Sequence, residues 1–177
     1  LRAFRIRIGY PDKWQNNDSA VVVDESKSLR ENLENLNVVL QKYEVKKRFG
    51  KPVDKEEWFC TPQTVNAYYS PESNSINFPA AILQAPFFDP EADDAANFGG
   101  IGSVIGHEMS HGFDDQGCQY DKNGNLNNWW TAEDKSNYDK RTKVLADWFS
   151  TQEVLPGLKV NGEKTLGENI GDNGGIN

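Results

Sequence analysis

Only two histidines occur in this chain, and they stand four residues apart in the stretch VIGHEMSHGFDDQG, residues 104–117. On an α-helix, positions four apart share a face about 6 Å from each other, so His107 and His111 can direct their imidazoles to a single point. The pair therefore demands a helix here, and a fold that brings something to face it. Zinc suits the geometry, because it accepts neutral imidazole and in hydrolytic sites keeps three protein ligands and one open position. Glu108, next to the first histidine, projects differently and can lie beside an activated water as general base and proton shuttle.

Taken alone, the five-residue pattern fits zinc and fits ordinary surface or hydrogen-bonded core histidines equally. A third ligand has to be a carboxylate or a thiolate, since no other histidine exists. The stretch TLGENIGDNGG, residues 165–175, offers Glu168 and Asp172, again four apart. On a helix one of them can bind the metal while the other accepts a hydrogen bond from a ligating histidine and fixes its tautomer. Their spacing is explained as well by a solvated acidic helix face. Gly99, Gly100, Gly102 and Gly106 crowd the start of the histidine helix. Each costs about 0.5–1 kcal/mol relative to alanine inside a helix, so either another backbone approaches closely or the helix starts late.

Bulk properties narrow the partners. A chain of 177 residues with 37% apolar residues, nine phenylalanines and five tryptophans can build a core. Its formal charge of −8 repels phosphate backbones, and no basic run interleaves with aromatics, which excludes a nucleic-acid groove. No apolar run approaches the roughly 20 residues that span a bilayer, so no membrane contact is expected from this segment. The start, LRAFRIRIGYPDKW, lacks the apolar core of a signal peptide and an initiator methionine, and is expected to be a processed or excised end. Cys60 and Cys118 have no metal-binding spacing and read as ordinary free thiols. The sequon at Asn17 is weak evidence for secretion.

Along the chain, Phe4, Ile6 and Ile8 alternating with arginines predict a short half-exposed strand. Leu29, Leu33, Leu36, Leu40 and Tyr43 predict a long amphipathic helix from about Ser26 to Phe49 with one buried stripe. TVNAYYS and SINFPAA, joined by PESN, predict a hairpin. Asp93 or Asp94 can begin the histidine helix, Thr131 a helix running to about Gln152, and a last helix starts near Thr165. DKNGN has its glycine too early for a calcium loop and reads as a polar turn. No repeat or composition break divides the chain, so 1–177 reads as a single domain.

The motifs GHEMSHGFDDQG, VNAYYSPESNSINFPAAILQAPFF and LGENIGDNGG, in this order, resemble those of the neprilysin-like zinc metallopeptidases, which include endothelin-converting enzymes and bacterial oligopeptidases. The resemblance spans nearly the whole chain. It implies an α+β, helix-rich fold, the catalytic portion of a thermolysin-like zincin with a short sheet edge beside the HExxH helix. It implies one Zn2+ per chain bound by His107, His111 and Glu168, with Glu108 as catalytic base and Asp172 orienting a histidine. Asn66 and Ala67 fall on the family's substrate-binding strand, where an extended peptide would add to a sheet edge. One of Asp114 and Asp115 is expected to support the site. Gly171 stands where the family usually has alanine, which is expected to loosen that helix modestly.

The resemblance also implies that 1–177 is a partial catalytic domain. The family's helical N-terminal roof, and a C-terminal segment that stabilises the oxyanion and holds substrate, lie outside it. Peptides of limited size are the expected substrates, cut before a large apolar residue, in an extracytoplasmic setting. The alternative is a non-catalytic zinc-binding or peptide-binding module.

Overall fold

The computed structural model describes residues 1–14 and 21–177, so the Asn17 sequon lies outside the described residues. Two compact units form: Leu1–Tyr10 together with Trp58–Asn177, and Pro11–Glu57. The fold is α+β and rich in helix, with two small sheets.

The smaller unit is built around α1, Leu29–Arg48. Ser28 and Glu31 close its first turn by exchanging hydrogen bonds with each other's backbone amides, and Lys46, Lys47 and Arg48 complement its C-terminal dipole. Glu57 takes both Lys47 at 2.7 Å and Arg48 at 2.8 Å, tying down the segment that leaves the helix. The expected apolar stripe is present but no residue of α1 is fully buried, and Leu29 and Leu33 stay exposed. Periodicity marks which face is apolar; it does not supply the layer that covers it.

In the larger unit a three-stranded sheet has the order β1-β3-β2, with β1 at Arg5–Gly9, β2 at Tyr68–Ser70 and β3 at Ser75–Pro79. The predicted hairpin is β2–β3, antiparallel with Tyr69 opposite Ile76, and its turn is closed by Asn74 at φ 48°. Strand β1 joins in parallel, Ile6 opposite Ile76 and Ile8 opposite Phe78. Paired residues share a face, yet Ile76 and Phe78 are 3% exposed while Ile6 and Ile8 are 67% and 64% exposed. The half-exposed strand expected here is present, and it is the isoleucines that face outward while Arg7 is buried opposite Asn77. Beneath β3, Ser73, Ser75 and Asn77 form a buried polar layer that satisfies itself: Ser75 Oγ lies 2.7 Å from Ser73 Oγ, and Asn77 donates to the Tyr68 carbonyl at 3.1 Å.

The core cluster is Ala67, Ile76, Phe78, Ile82 and Ile101, ringed by Phe4, Tyr69, Phe87, Phe88, Val104 and Met109. It joins the sheet to the histidine helix, which begins as α2, Asp94–Asn97, with Asp93 capping the Ala96 amide, and ends as α3, Ser103–His111. Helix α4, Ala132–Thr151, starts at Thr131, whose side chain accepts from the Asp134 amide. A hairpin that the sequence pattern did not reveal follows, β4 at Glu153–Leu155 and β5 at Leu158–Lys159, turning through Gly157 at φ 78°. Helix α5, Leu166–Ile176, then packs along α3. No helix among the described residues is long and apolar enough to cross a membrane.

Candidate metal centre and peptide cleft

Helices α3 and α5 approach more closely than ordinary side chains permit, and glycine is the reason. A Cβ on Gly106 would lie 2.7 Å from the Gly174 carbonyl oxygen and 3.0 Å from Gly175 Cα; one on Gly171 would lie 2.8 Å from the His107 ring. With the backbones this near, one turn of α5 delivers Glu168 and Asp172 onto the histidine face of α3.

The imidazole Nε2 atoms of His107 and His111 lie 2.9 Å apart. Glu168 Oε2 stands 3.4 Å from the first and 3.8 Å from the second. Each ring is braced from behind: His107 Nδ1 is 3.0 Å from Asp172 Oδ1, and His111 Nδ1 is 2.7 Å from Asp114 Oδ2. An ionised carboxylate has no proton to give, so each Nδ1 carries the hydrogen, and in the neutral rings each Nε2 keeps its lone pair. Two imidazole lone pairs and a carboxylate oxygen, all within 4.8 Å, form an electron-rich triangle that a cation would satisfy.

The structure also separates the two aspartates after the motif. Asp114 is buried, and its second oxygen accepts from the Gln116 and Gly117 amides at 2.8 and 2.7 Å, which fixes the carboxylate against His111. Asp115 points elsewhere: its Oδ2 accepts from the Gln116 side chain at 2.8 Å. Sequence spacing left this choice open because adjacent residues leaving a helix end diverge in direction. Asp114 also holds the His111 pKa above its usual value, chiefly through that hydrogen bond.

Glu108 is buried on the side of α3 that faces β2. Burial pushes its carboxyl up, while His111, His107 and the Tyr69 backbone N–H pull it back toward ionisation. Its Oε2 has no hydrogen-bond partner among the described residues. A buried carboxylate oxygen left unpaired is expensive, and a water between it and the triangle would satisfy it. The donor set and the orphaned oxygen together fit a zinc ion with a water beside Glu108.

A cleft of about 470 Å³ opens over these groups, lined by Asn66, Ala67, Tyr69, Pro71 and Gln116 together with His107, Glu108, His111, Asp114 and Glu168. Asn66 and Ala67 immediately precede β2 and do not lie within it. Ala67 packs its methyl in the core, and Asn66 is exposed with Oδ1 accepting from the Ala67 amide at 2.9 Å. Six of the seven residues expected from sequence therefore line one cleft, and the seventh, Asp172, stands behind the His107 ring. Cys60 and Cys118 are both free thiols.

The profile of Peptidase family M13 matches residues 66–177, more than half of the chain. The chain belongs to Peptidase family M13. A neutral endopeptidase of Lactobacillus helveticus is 43% identical over 176 residues, covering 99% of this chain and 27% of the relative. Human endothelin-converting enzyme 1 is 51% identical over 126 residues, 71% of this chain and 16% of the relative. Among solved structures, the Mycobacterium tuberculosis zinc metalloprotease Zmp1, in complex with an inhibitor, superposes with a TM-score of 0.90 at 51% identity, covering 99% of this chain and 27% of that one. This M13 chain thus spans less than a third of the length of the curated relatives it matches.

Proposed function

We propose that this chain carries the metal centre of a zinc-dependent metalloendopeptidase, with one zinc per chain bound by His107, His111 and Glu168. The observation that carries the reading is the convergence of both Nε2 atoms and Glu168 Oε2 while both Nδ1 atoms are held by carboxylates. Names of relatives such as zinc metalloprotease and neutral endopeptidase agree with it.

Zinc, when bound, polarises the scissile carbonyl and makes water nucleophilic near neutral pH. Glu108 takes a proton at its carboxylate and passes it to the leaving amine, and its raised pKa brings it nearer the range where it can do both. Asp114 and Asp172 hold the histidine tautomers that keep Nε2 free. A peptide lies extended at the β2 edge, with its main chain bonded to the exposed Asn66 amide and the Ala67 backbone. No lysine or arginine lines the cleft among the described residues. The side chains found there thus offer no cation to a developing oxyanion, and losing such a donor costs about 10²–10³-fold in turnover. Cleavage by this chain is therefore expected to be slow, with Glu108→Gln slower still.

The test is zinc content per chain, by elemental analysis, for wild type and Glu168→Ala, followed by peptide cleavage with Glu108→Gln. The expected results are about one zinc in wild type, most of it lost in Glu168→Ala, and zinc retained without hydrolysis in Glu108→Gln. Absence of zinc from wild type after zinc addition overturns the metal assignment, and undiminished hydrolysis by Glu108→Gln overturns that of the base.

A further inference from the structure

The helix that presents the histidines is not uniform. Between α2 and α3 the backbone widens into a π turn, Phe98–Gly102, although the flanking residues keep helical dihedrals, Asn97 at φ −67°, ψ −38° and Ser103 at φ −65°, ψ −37°. Such turns are rare within α-helices and recur near functional sites. Here a group outside the helix enters it. The Phe87 carbonyl accepts from the Ile101 N–H at 2.7 Å, and the loop presenting it is closed by Phe87 and Phe88 amides donating to the Gln84 carbonyl at 2.9 and 3.0 Å.

Gly100 makes that approach possible. A Cβ there would stand 2.3 Å from the Phe87 oxygen and 3.2 Å from its carbonyl carbon, both backbone atoms that cannot rotate aside. Ser103 serves the widened turn from the other end, its Oγ donating to the Gly99 and Gly100 carbonyls at 3.0 and 2.8 Å. Ile101 and Phe87 belong to the same apolar cluster, which anchors the carbonyl in place.

One residue of α-helix is about 100° of rotation and 1.5 Å of rise, and a π turn holds one residue more than an α turn. Whether the turn is open or closed therefore sets the phase of α3 relative to α2. His107 and His111 follow within the next turns, and Glu108 lies between them facing β2. We propose that the Phe87 carbonyl and Gly100 are positioning elements of the metal centre: they hold open the π turn that sets the rotational phase of His107 and His111 against Glu168. This rests on the metal-site reading above.

The experiment compares wild type, Gly100→Ala, Gly99→Ala and Ser103→Ala by Co2+ titration, reading both affinity and the visible absorption bands at saturating metal, with circular dichroism on each metal-free chain. Gly99 is the control, since a Cβ there meets nothing within 4 Å. Gly100→Ala should lower Co2+ affinity about tenfold or more, the scale of losses when groups that orient ligands are removed, and should shift the bands while circular dichroism stays native. Gly99→Ala should match wild type within about twofold. Ser103→Ala adds no volume, and should weaken binding in the same direction by a smaller factor; it decides the matter if Gly100→Ala does not fold. Wild-type affinity and spectrum in Gly100→Ala, or in Ser103→Ala where that variant decides, overturn the proposal. A wild-type chain that takes up no Co2+ overturns instead the metal reading on which it rests.

Discussion

Asp114→Asn is the substitution whose consequence the geometry specifies most fully. Asp114 Oδ2 lies 2.7 Å from His111 Nδ1, and Oδ1 is taken by the Gln116 and Gly117 amides. In asparagine the single oxygen must stay with those two amides, so the NH2 turns toward His111. The imidazole must then accept at Nδ1 and carry its proton on Nε2, the atom that faces Glu168. Losing a partner of this kind costs about 10- to 100-fold in metal affinity, or about 1.4–2.8 kcal/mol. Burial puts Asp114, whose side chain is 8% exposed, at the upper end of that range. Asp172 binds His107 through a longer contact of 3.0 Å and its side chain is 70% exposed, so water can replace it and Asp172→Asn should fall near tenfold. Competition of each purified variant against a chromophoric zinc chelator, with circular dichroism confirming the fold, measures both. Zinc affinity within twofold of wild type in Asp114→Asn would refute the tautomer reasoning. Equal losses in the two variants would refute the ranking by burial.

Gly106→Ala adds a methyl 2.7 Å from the Gly174 carbonyl oxygen, and backbone cannot yield as a side chain does. Overpacking of about 1–3 kcal/mol outweighs a helix gain of about 0.5–1 kcal/mol, so a urea titration should show a net loss of up to about 2.5 kcal/mol, and a stabilised variant would contradict the close contact. Asp114 raises the His111 pKa above 6.5, and a metal must displace that proton, so zinc affinity should start to fall at a pH above 6.5 and hold to lower pH in Asp114→Ala. By the same shift the metal-free chain gains stability below the unfolded value near 6.5 and loses it as pH rises through the folded one, which melting from pH 5 to 9 would follow; a flat profile counts against it. Asn66→Ala, made in the Glu108→Gln background, should weaken binding of an extended peptide by about 2- to 12-fold, the worth of one hydrogen bond; unchanged binding removes Asn66 from the site.

What could be read in the sequence was what neighbours in the chain decide. Thr131 followed by Asp134 marks a helix start through contacts three residues apart, and α4 begins there. His107 and His111 owe their shared face to helix period alone, and Glu168 and Asp172 likewise. Where the deciding partner is distant, local pattern failed or stayed silent. The outward Ile6 and Ile8 follow from parallel pairing of β1 with a strand some seventy residues later, and nothing in RIRIG encodes which face that sheet buries. The choice of Asp114 over Asp115 depends on the direction the chain takes after α3. The π turn depends on a carbonyl from Phe87, reached through a glycine whose cost was visible and whose partner was not.

The glycines show most directly how this chain converts backbone geometry into chemistry. Their number left a close approach and a late helix start both open, and the structure assigns them differently: Gly100 to Phe87, Gly106 to Gly174 and Gly175, and Gly99 to open space. Helices normally pack with axes about 8–10 Å apart because side chains intervene. At that separation a glutamate on α5 would have to reach across a layer of side chains to meet both imidazoles. Removing that layer at Gly106, Gly174 and Gly175 lets Glu168 Oε2 come within 3.8 Å of both Nε2 atoms from the first turn of α5. Gly171 follows the same logic. Where the resemblance implied that a missing methyl loosens α5, the His107 ring fills the space instead, with its nearest atoms 2.8 Å from where the methyl would be. An alanine there requires ring or helix to shift, so the residue facing the ring and the spacing of the two helices must change together.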